Sequence, residues 1–173
     1  TQTVAKASDL MENDYVIFKD TDLAVTAGTP LTGGTNGTVD GTAHQAYLDK
    51  IESYTYNTMG VITTDDTTKK LYAAFNKRLR DELGIKFQLV VYRLAADNMG
   101  VISVKNKVLD TDRSEASLVY WTSGAESGCA VNKSCQNKLY DGVFHVDTDY
   151  TQNDLRQAIR DGEFTFHKVN GVI

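Results

Sequence analysis

The 173-residue chain has one proline, at position 30, and two cysteines, Cys129 and Cys135. Neither cysteine fits a zinc or CxxC spacing, so a thiolate metal site and a thioredoxin-like redox motif are both excluded as readings. With no secretory signal visible, reduced thiols are expected rather than a disulfide. No apolar run approaches the roughly 20 residues of a membrane span. The first ten residues, TQTVAKASDL, lack the apolar core of a signal peptide. An initiator Met is also missing, and the last residues, Asn170-Gly171-Val172-Ile173, form neither a helix nor a polar tail. The expectation is a piece of something longer. A net charge of −5 argues against nucleic acid, because phosphate binding wants clustered Lys and Arg. The basic residues that do cluster, Lys69, Lys70, Lys77, Arg78 and Arg80, alternate with acidic ones and read as a solvated helix face.

What is present is an ordinary soluble composition, 41% hydrophobic and 24% charged. The most informative stretch runs from Asp65 to Leu94. Leu71, Phe75, Leu79 and Leu83 recur every four residues and predict one apolar stripe on a helix. Asp65 and Asp66 suit its N-terminus and Gly84 its left-handed stop. Ile85, Phe87, Leu89, Val90 and Val91 then predict a strand buried on both faces, as in a parallel sheet. Before this pair, a helix is expected from Thr42, capped through Gln45, to about Ser53, with Ala43, Tyr47, Ile51 and Tyr54 on one face. A strand follows over 56–63. After the pair, a strand is expected over 100–104. The short link before it leaves open a hairpin or two separate edges of one sheet. A third helix, opened by Asp112-Arg-Ser-Glu115, runs to about Ser127. Its small residues, among them Ser123, Gly124 and Ala125, suit close packing against other backbone. A short strand over 143–146, a helix opened by Thr151-Gln-Asn-Asp154 and stopped at Gly162, and an alternating strand over 163–167 complete the order. In the helix, Leu155, Ala158 and Ile159 are expected to face inward. The alternation predicts a layered α/β domain with a largely parallel sheet flanked by helices. Residues 1–31 differ in texture, with short strands at 15–18 and 23–25, and read as the end of a neighbouring β domain plus linker. The α/β domain is assigned to 32–173.

Chemistry is sparse. Gly33-Gly34-Thr35-Asn36-Gly37 follows no buried strand and precedes no GK[ST], so it meets neither phosphate-loop pattern and reads as a linker. Ser123 sits mid-helix without a nucleophile elbow. His44, His145 and His167 have no spacing that pairs them with each other or with an acid. Asp65 and Asp66 are explained by capping, and Asp147, Asp149 and Asp154 lack the glycine and terminal glutamate of a calcium loop. Asn36 and Asn132 head glycosylation sequons that read as polar loops. No catalytic, cofactor-binding or metal residue is assigned, and no cofactor is expected.

The run from Ala116 to Ser134, ASLVYWTSGAESGCAVNKS, resembles the contractile-tail sheath proteins of bacteriophages. So do Gly33–Gly37, Lys86–Tyr92, Gly100–Val104, Lys138–Gly142 and Tyr150–His167, in the family's order, from about residue 32 to the end. The similarity is to sheaths of prophages and phage-tail-like particles. It implies a subtilisin-like α/β fold without the protease signatures, preceded by the end of a small β-sandwich domain. It also implies a structural, non-enzymatic subunit of a virion or tail-like particle, assembled in the bacterial host cytoplasm. The implied partners are other sheath subunits, the inner tail tube protein and the baseplate. The C-terminal assembly domain of such proteins is not among these residues, so the piece alone is expected to be a monomer. A hydrolase of the same architecture and a small-ligand-binding α/β module are the alternatives.

Overall fold

Asp65 accepts a hydrogen bond from the Thr68 amide at 2.6 Å and starts the long helix where expected. This computed structural model describes residues 11, 34, 37–130 and 132–173. The chain divides into two units, Thr1–Thr38 and Val39–Ile173, and every element below lies in the second. The strands expected at 15–18 and 23–25 fall outside the described residues. In chain order the elements are α1 (Gly41–Ile51), β1 (Thr58–Val61), α2 (Asp66–Glu82), β2 (Gln88–Tyr92) and β3 (Val101–Val104). A 3₁₀ turn (Glu115–Ser117), α3 (Leu118–Ser127), α4 (Gln152–Arg160) and β4 (Glu163–Phe164) follow.

The four strands form one sheet in the order β1-β2-β3-β4, and every pair is parallel. Successive side chains of a strand point to opposite faces. Leu89 and Val91 therefore join one core with Leu48 of α1 and Tyr72, Phe75 and Leu79 of α2. Val90 and Tyr92 join the other with Val104, Leu118 and Val119. Helices on both faces explain why the β2 run is apolar without alternation, and the layered parallel sheet expected from the sequence is present.

Details differ at the helix faces. A strict four-residue spacing drifts by about 40° per step on a 3.6-residue helix. The expected α2 stripe therefore runs off the core: Leu71 is half-buried and Leu83 is 52% exposed. The buried set is Lys69, Tyr72, Phe75, Asn76 and Leu79. Asp40, two residues before Thr42, caps α1 by accepting from Ala43 N. Leu48 is the buried residue of α1, while Tyr47 and Tyr54 face out. Ser114 rather than Asp112 caps the 3₁₀ turn before α3. In α4, Thr151 and Asp154 make the reciprocal capping box, and only Ala158 is buried, with Ile159 exposed. Gly84 and Gly162 both have positive φ and stop their helices as expected. At 143–146 there is a single antiparallel bridge, Val108 to Val146, rather than a strand.

The link from β2 to β3 is neither a hairpin nor a join of separate edges. The strands are parallel neighbours, and residues 93–100 return the chain without a helix. Such crossovers normally need a dozen or more residues. Here Arg93 turns at φ 45°, Leu94 N donates to Ser103 Oγ at 3.0 Å, and Asn98 Nδ2 donates to Asn76 Oδ1 at 3.1 Å. Gly100 passes so close to α2 that a Cβ there would meet Asn76 Oδ1 and the Arg80 side chain. Side-chain bonds thus replace the hydrogen bonding a crossover helix would supply.

Candidate functional site

Lys69 Nζ lies at the carboxyl end of β2 and donates to Tyr92 O at 3.0 Å and Arg93 O at 3.2 Å, with Asp66 at 2.6 Å. Only 3% of Lys69 is exposed, which corrects its reading as part of a solvated face. Arg78 forms a bidentate pair with Glu52 and holds that carboxyl below its usual range. Arg80 donates to Phe87 O. Of the five clustered cations, only Lys70 and Lys77 are fully on the surface.

The residues weighed for catalysis stand in separate neighbourhoods. Ser123 of α3 faces Gly60 of β1, and its hydroxyl is buried with no hydrogen-bond partner. His44 Nδ1 lies 3.1 Å from Tyr72 OH. His145 pairs with Asp110 at 2.6 Å on the surface, which raises the imidazole pKa and lowers that of the carboxyl. His167 is exposed beyond β4. Asp65 and Asp154 act as caps, and Asp147 accepts from Asp149 N. Among the described residues no three His, Cys, Asp or Glu side chains converge to hold a metal. No helix among them is long and apolar enough to cross a membrane.

In open α/β sheets, ligands bind outside the carboxyl ends of the strands, where the strand order reverses. Among the described strands the order is sequential and has no reversal. Lys69 closes the carboxyl end of β2 and a Lys105–Glu163 ion pair at 2.7 Å lies past the end of β3, while a cleft of about 410 Å³ opens past the end of β1 among Val61, Thr63, His44 and Tyr72. A cleft of about 1330 Å³ lies toward the other end of the sheet, lined by Thr58, Gln88 and Val101 at the starts of β1, β2 and β3 and by both residues of β4. Leu139, Ile159, Val169 and Val172 stand exposed along it, each more than half accessible. Trp121, Tyr140 and Phe166 form an aromatic cluster with ring centroids 5.2–5.8 Å apart, Phe166 edge-on to the other two and Trp121 tilted against Tyr140. Trp121 Nε1 donates to Asp141 Oδ1 at 2.7 Å. Cys129 and Cys135 line the same cleft. Apolar side chains with a polar rim suit covering by other polypeptide better than acid–base chemistry. Sequence patterns missed this surface because its residues come from five segments far apart in the chain.

The model of the phage tail sheath protein central domain matches residues 37–173. This chain belongs to the phage tail sheath protein family. Among curated proteins, it is 31% identical over 188 residues to the uncharacterized protein YqbK of Bacillus subtilis (strain 168). It is equally similar to the phage-like element PBSX protein XkdK of the same organism. Each alignment covers 95% of this chain and 40% of the relative, so the chain spans about two-fifths of the length of the curated relatives it matches. Among solved structures, the sheath tail protein of Desulfitobacterium hafniense superposes with a TM-score of 0.79 at 39% identity, over 99% of this chain and 42% of that one. The sheath tail protein Lin1278 of Listeria innocua gives 0.72 at 30% identity, over 98% and 40%. The sheath-family α/β fold is thus shared by chains of more than twice this length.

Proposed function

We propose that this chain is part of a structural subunit of a contractile tail sheath, which polymerises around an inner tube and contracts to drive the tube through a target cell envelope. The observation that carries the reading is the 39% identity and TM-score of 0.79 to a sheath tail protein across 99% of the chain. On this reading the parent protein assembles in the bacterial cytoplasm into a phage or phage-tail-like particle. Its partners are other sheath subunits, the tube and the baseplate. Residues 32–173 are the subtilisin-like α/β core, and residues 1–31 are the end of a small β-sandwich domain. The name subtilisin-like refers to architecture alone: the reading assigns no catalytic, metal or cofactor residue.

The physical demand on such a subunit is rigidity. Contraction exchanges one set of intersubunit contacts for another while each body keeps its shape. A sheet buried on both faces, with its short crossover pinned by side-chain hydrogen bonds, meets that demand. The test is electron microscopy of the full-length parent protein. Sleeves or polysheath-like tubes are expected, and stable monomers alone would overturn the reading. Residues 1–173 by themselves are expected to sediment as a monomer. An active-serine probe should leave Ser123 unlabelled, and labelling that depended on His44, His145 or His167 would restore a hydrolase.

A further inference from the structure

We propose that Asn170 is a site of covalent self-modification, where the side-chain amide closes onto the backbone nitrogen of Gly171 to a succinimide that water opens to aspartate and isoaspartate. Val169 and Val172 form an antiparallel bridge, with Val169 N donating to Val172 O at 2.8 Å and Val172 N donating to Val169 O at 3.0 Å. Asn170 and Gly171 are the two residues of the tight turn between them, at φ 50° and 87°. Positive φ at both central positions makes this a type I′ turn, the hairpin turn that Asn-Gly favours. Both residues are exposed. Among the described residues no group hydrogen-bonds the Asn170 side chain or the Gly171 N–H. Electrophile and nucleophile are therefore both free and adjacent. Asn76, Asn98 and Asn106, by contrast, have their side-chain amides tied in hydrogen bonds.

The turn is set for ring closure. A type II′ turn has positive φ at its first central residue only. Turning the single peptide unit between Asn170 and Gly171 converts I′ to II′: Asn170 keeps its positive φ, Gly171 passes to negative φ, and the two valine hydrogen bonds remain. Glycine accepts both signs of φ without steric cost. Space is open there, with nothing within 4 Å of where a Cβ on Gly171 would stand. The flip rotates ψ of Asn170 and brings the Gly171 nitrogen into line with the Asn170 Cα–Cβ bond, as a five-membered ring requires. In the first step the Gly171 nitrogen gives its proton to solvent and attacks Cγ. The N–Cγ bond forms, the Cγ–Nδ2 bond breaks, and Nδ2 takes up a proton and leaves as ammonia. In the second step water adds to one of the two ring carbonyls. Opening at Cγ gives aspartate, and opening at the main-chain carbonyl gives isoaspartate, whose backbone runs through Cβ and Cγ. No oxidant or reductant is involved. Either product carries one more negative charge, and isoaspartate lengthens a turn that has room for two residues. The valines it holds together are exposed along the larger cleft, so the reaction alters that wall.

Asn137 is the internal control. It is exposed and has φ 59°, but Lys138 follows it, and the lysine Cβ crowds the attacking nitrogen. The test is to incubate the folded chain at mildly alkaline pH in heavy-oxygen water and map the peptides over several weeks. The peptide bearing Asn170 should split into aspartyl and isoaspartyl forms, each carrying one heavy oxygen, and only the isoaspartyl form should accept a methyl group from an isoaspartyl methyltransferase. Conversion at Asn137 should be slower by about tenfold or more, because only glycine leaves the nitrogen uncrowded. Asn170→Gly keeps a sequence that a type I′ turn accepts and should abolish both products. A parallel incubation in concentrated urea gives the rate without the turn. An amide that persists at Asn170 in the folded chain while the unfolded chain converts would mean that the turn protects it, and would overturn the proposal. So would conversion at Asn36, which also precedes a glycine, with Asn170 intact, or equal conversion at Asn137 and Asn170.

Discussion

Replacing Lys69 by Met would remove the ammonium from Tyr92 O and Arg93 O while keeping most of the aliphatic stem in place. Two carbonyls at the carboxyl end of β2 would then be left short of a donor in a site that is almost closed to water. Orphaned buried polar groups cost about 1–3 kcal/mol each, so the urea midpoint of Lys69→Met should fall by the equivalent of about 2 kcal/mol or more. Asp66→Asn should cost less than about 1 kcal/mol, because that carboxylate is 71% exposed and its pair is screened. If the two variants were equally destabilised, the ion pair rather than the carbonyl cap would be the important contact. A different residue-scale prediction concerns the exposed His145–Asp110 pair. The imidazole pKa is raised above 6.5 by the carboxylate, and that of Asp110 is lowered below 3.8 by the imidazole. The histidine's contribution is fully present below about pH 6.5 and is lost as pH rises through its elevated folded value. That of the aspartate is present above about pH 3.8 and is lost as pH falls through its depressed one. The tie should therefore be firmest between those limits. An NMR titration of His145 should show a midpoint above that of the Asp110→Asn variant, and equal midpoints would dissolve the pair.

The contact between α3 and β1 sets the closest approach of helix to sheet. A Cβ on Gly60 would strike Ser123 Oγ and come within 3.1 Å of Val119 Cγ1. Gly60→Ala should cost about 1–3 kcal/mol, as overpacking in a closed core does. Ser123→Ala removes a buried hydroxyl that has no partner, so it should be neutral or slightly stabilising. In the double variant the worst clash is gone, so thermal melts of the four proteins should show clear positive coupling. Additive losses would mean that Val119, not Ser123, limits the approach. Small residues in this helix signalled close packing in the sequence, and Asp65, Gly84 and Gly162 marked helix ends that the structure keeps. The parallel sheet was legible because β2 is apolar on both faces. The register of burial around each helix was not. Leu71 and Leu83 lie at the margins of α2, while Tyr72, Asn76 and Lys69 are inward, and hydrophobicity alone does not rank a lysine as buried. Its partners are main-chain carbonyls, which no side-chain pattern encodes. The helix-free crossover was illegible for the same reason: Ser103, Asn76 and Asn98 hold it through backbone and amide bonds across long sequence separations.

At the scale of the molecule, a ligand-binding role turns on where the space lies. The sequential order β1-β2-β3-β4 leaves no reversal between described strands where a crevice would open. Lys69 and the Lys105–Glu163 pair fill the carboxyl ends of β2 and β3, a cleft of about 410 Å³ opens past β1, and the cleft of about 1330 Å³ by the starts of β1, β2 and β3 has exposed aliphatic side chains along it. Nucleotide phosphates need clustered donors or a helix N-terminus aimed at them; Arg80, Lys86, Lys133 and Lys138 line the larger cleft among its apolar residues, on a chain of net charge −5. The Gly33–Gly37 loop is the one sequence feature that points the other way, and most of it lies outside the described residues. Thermal melting with and without ATP and Mg²⁺ separates the two. A ligand that binds only the native state, present at a hundred times its dissociation constant, adds about 2.7 kcal/mol. That is enough to raise the midpoint by several degrees for a unit of this size. No change is expected. A rise of that size, abolished by Gly34→Val and untouched by changes at Leu139 or Val172, would restore the phosphate-loop reading and count against a purely mechanical subunit.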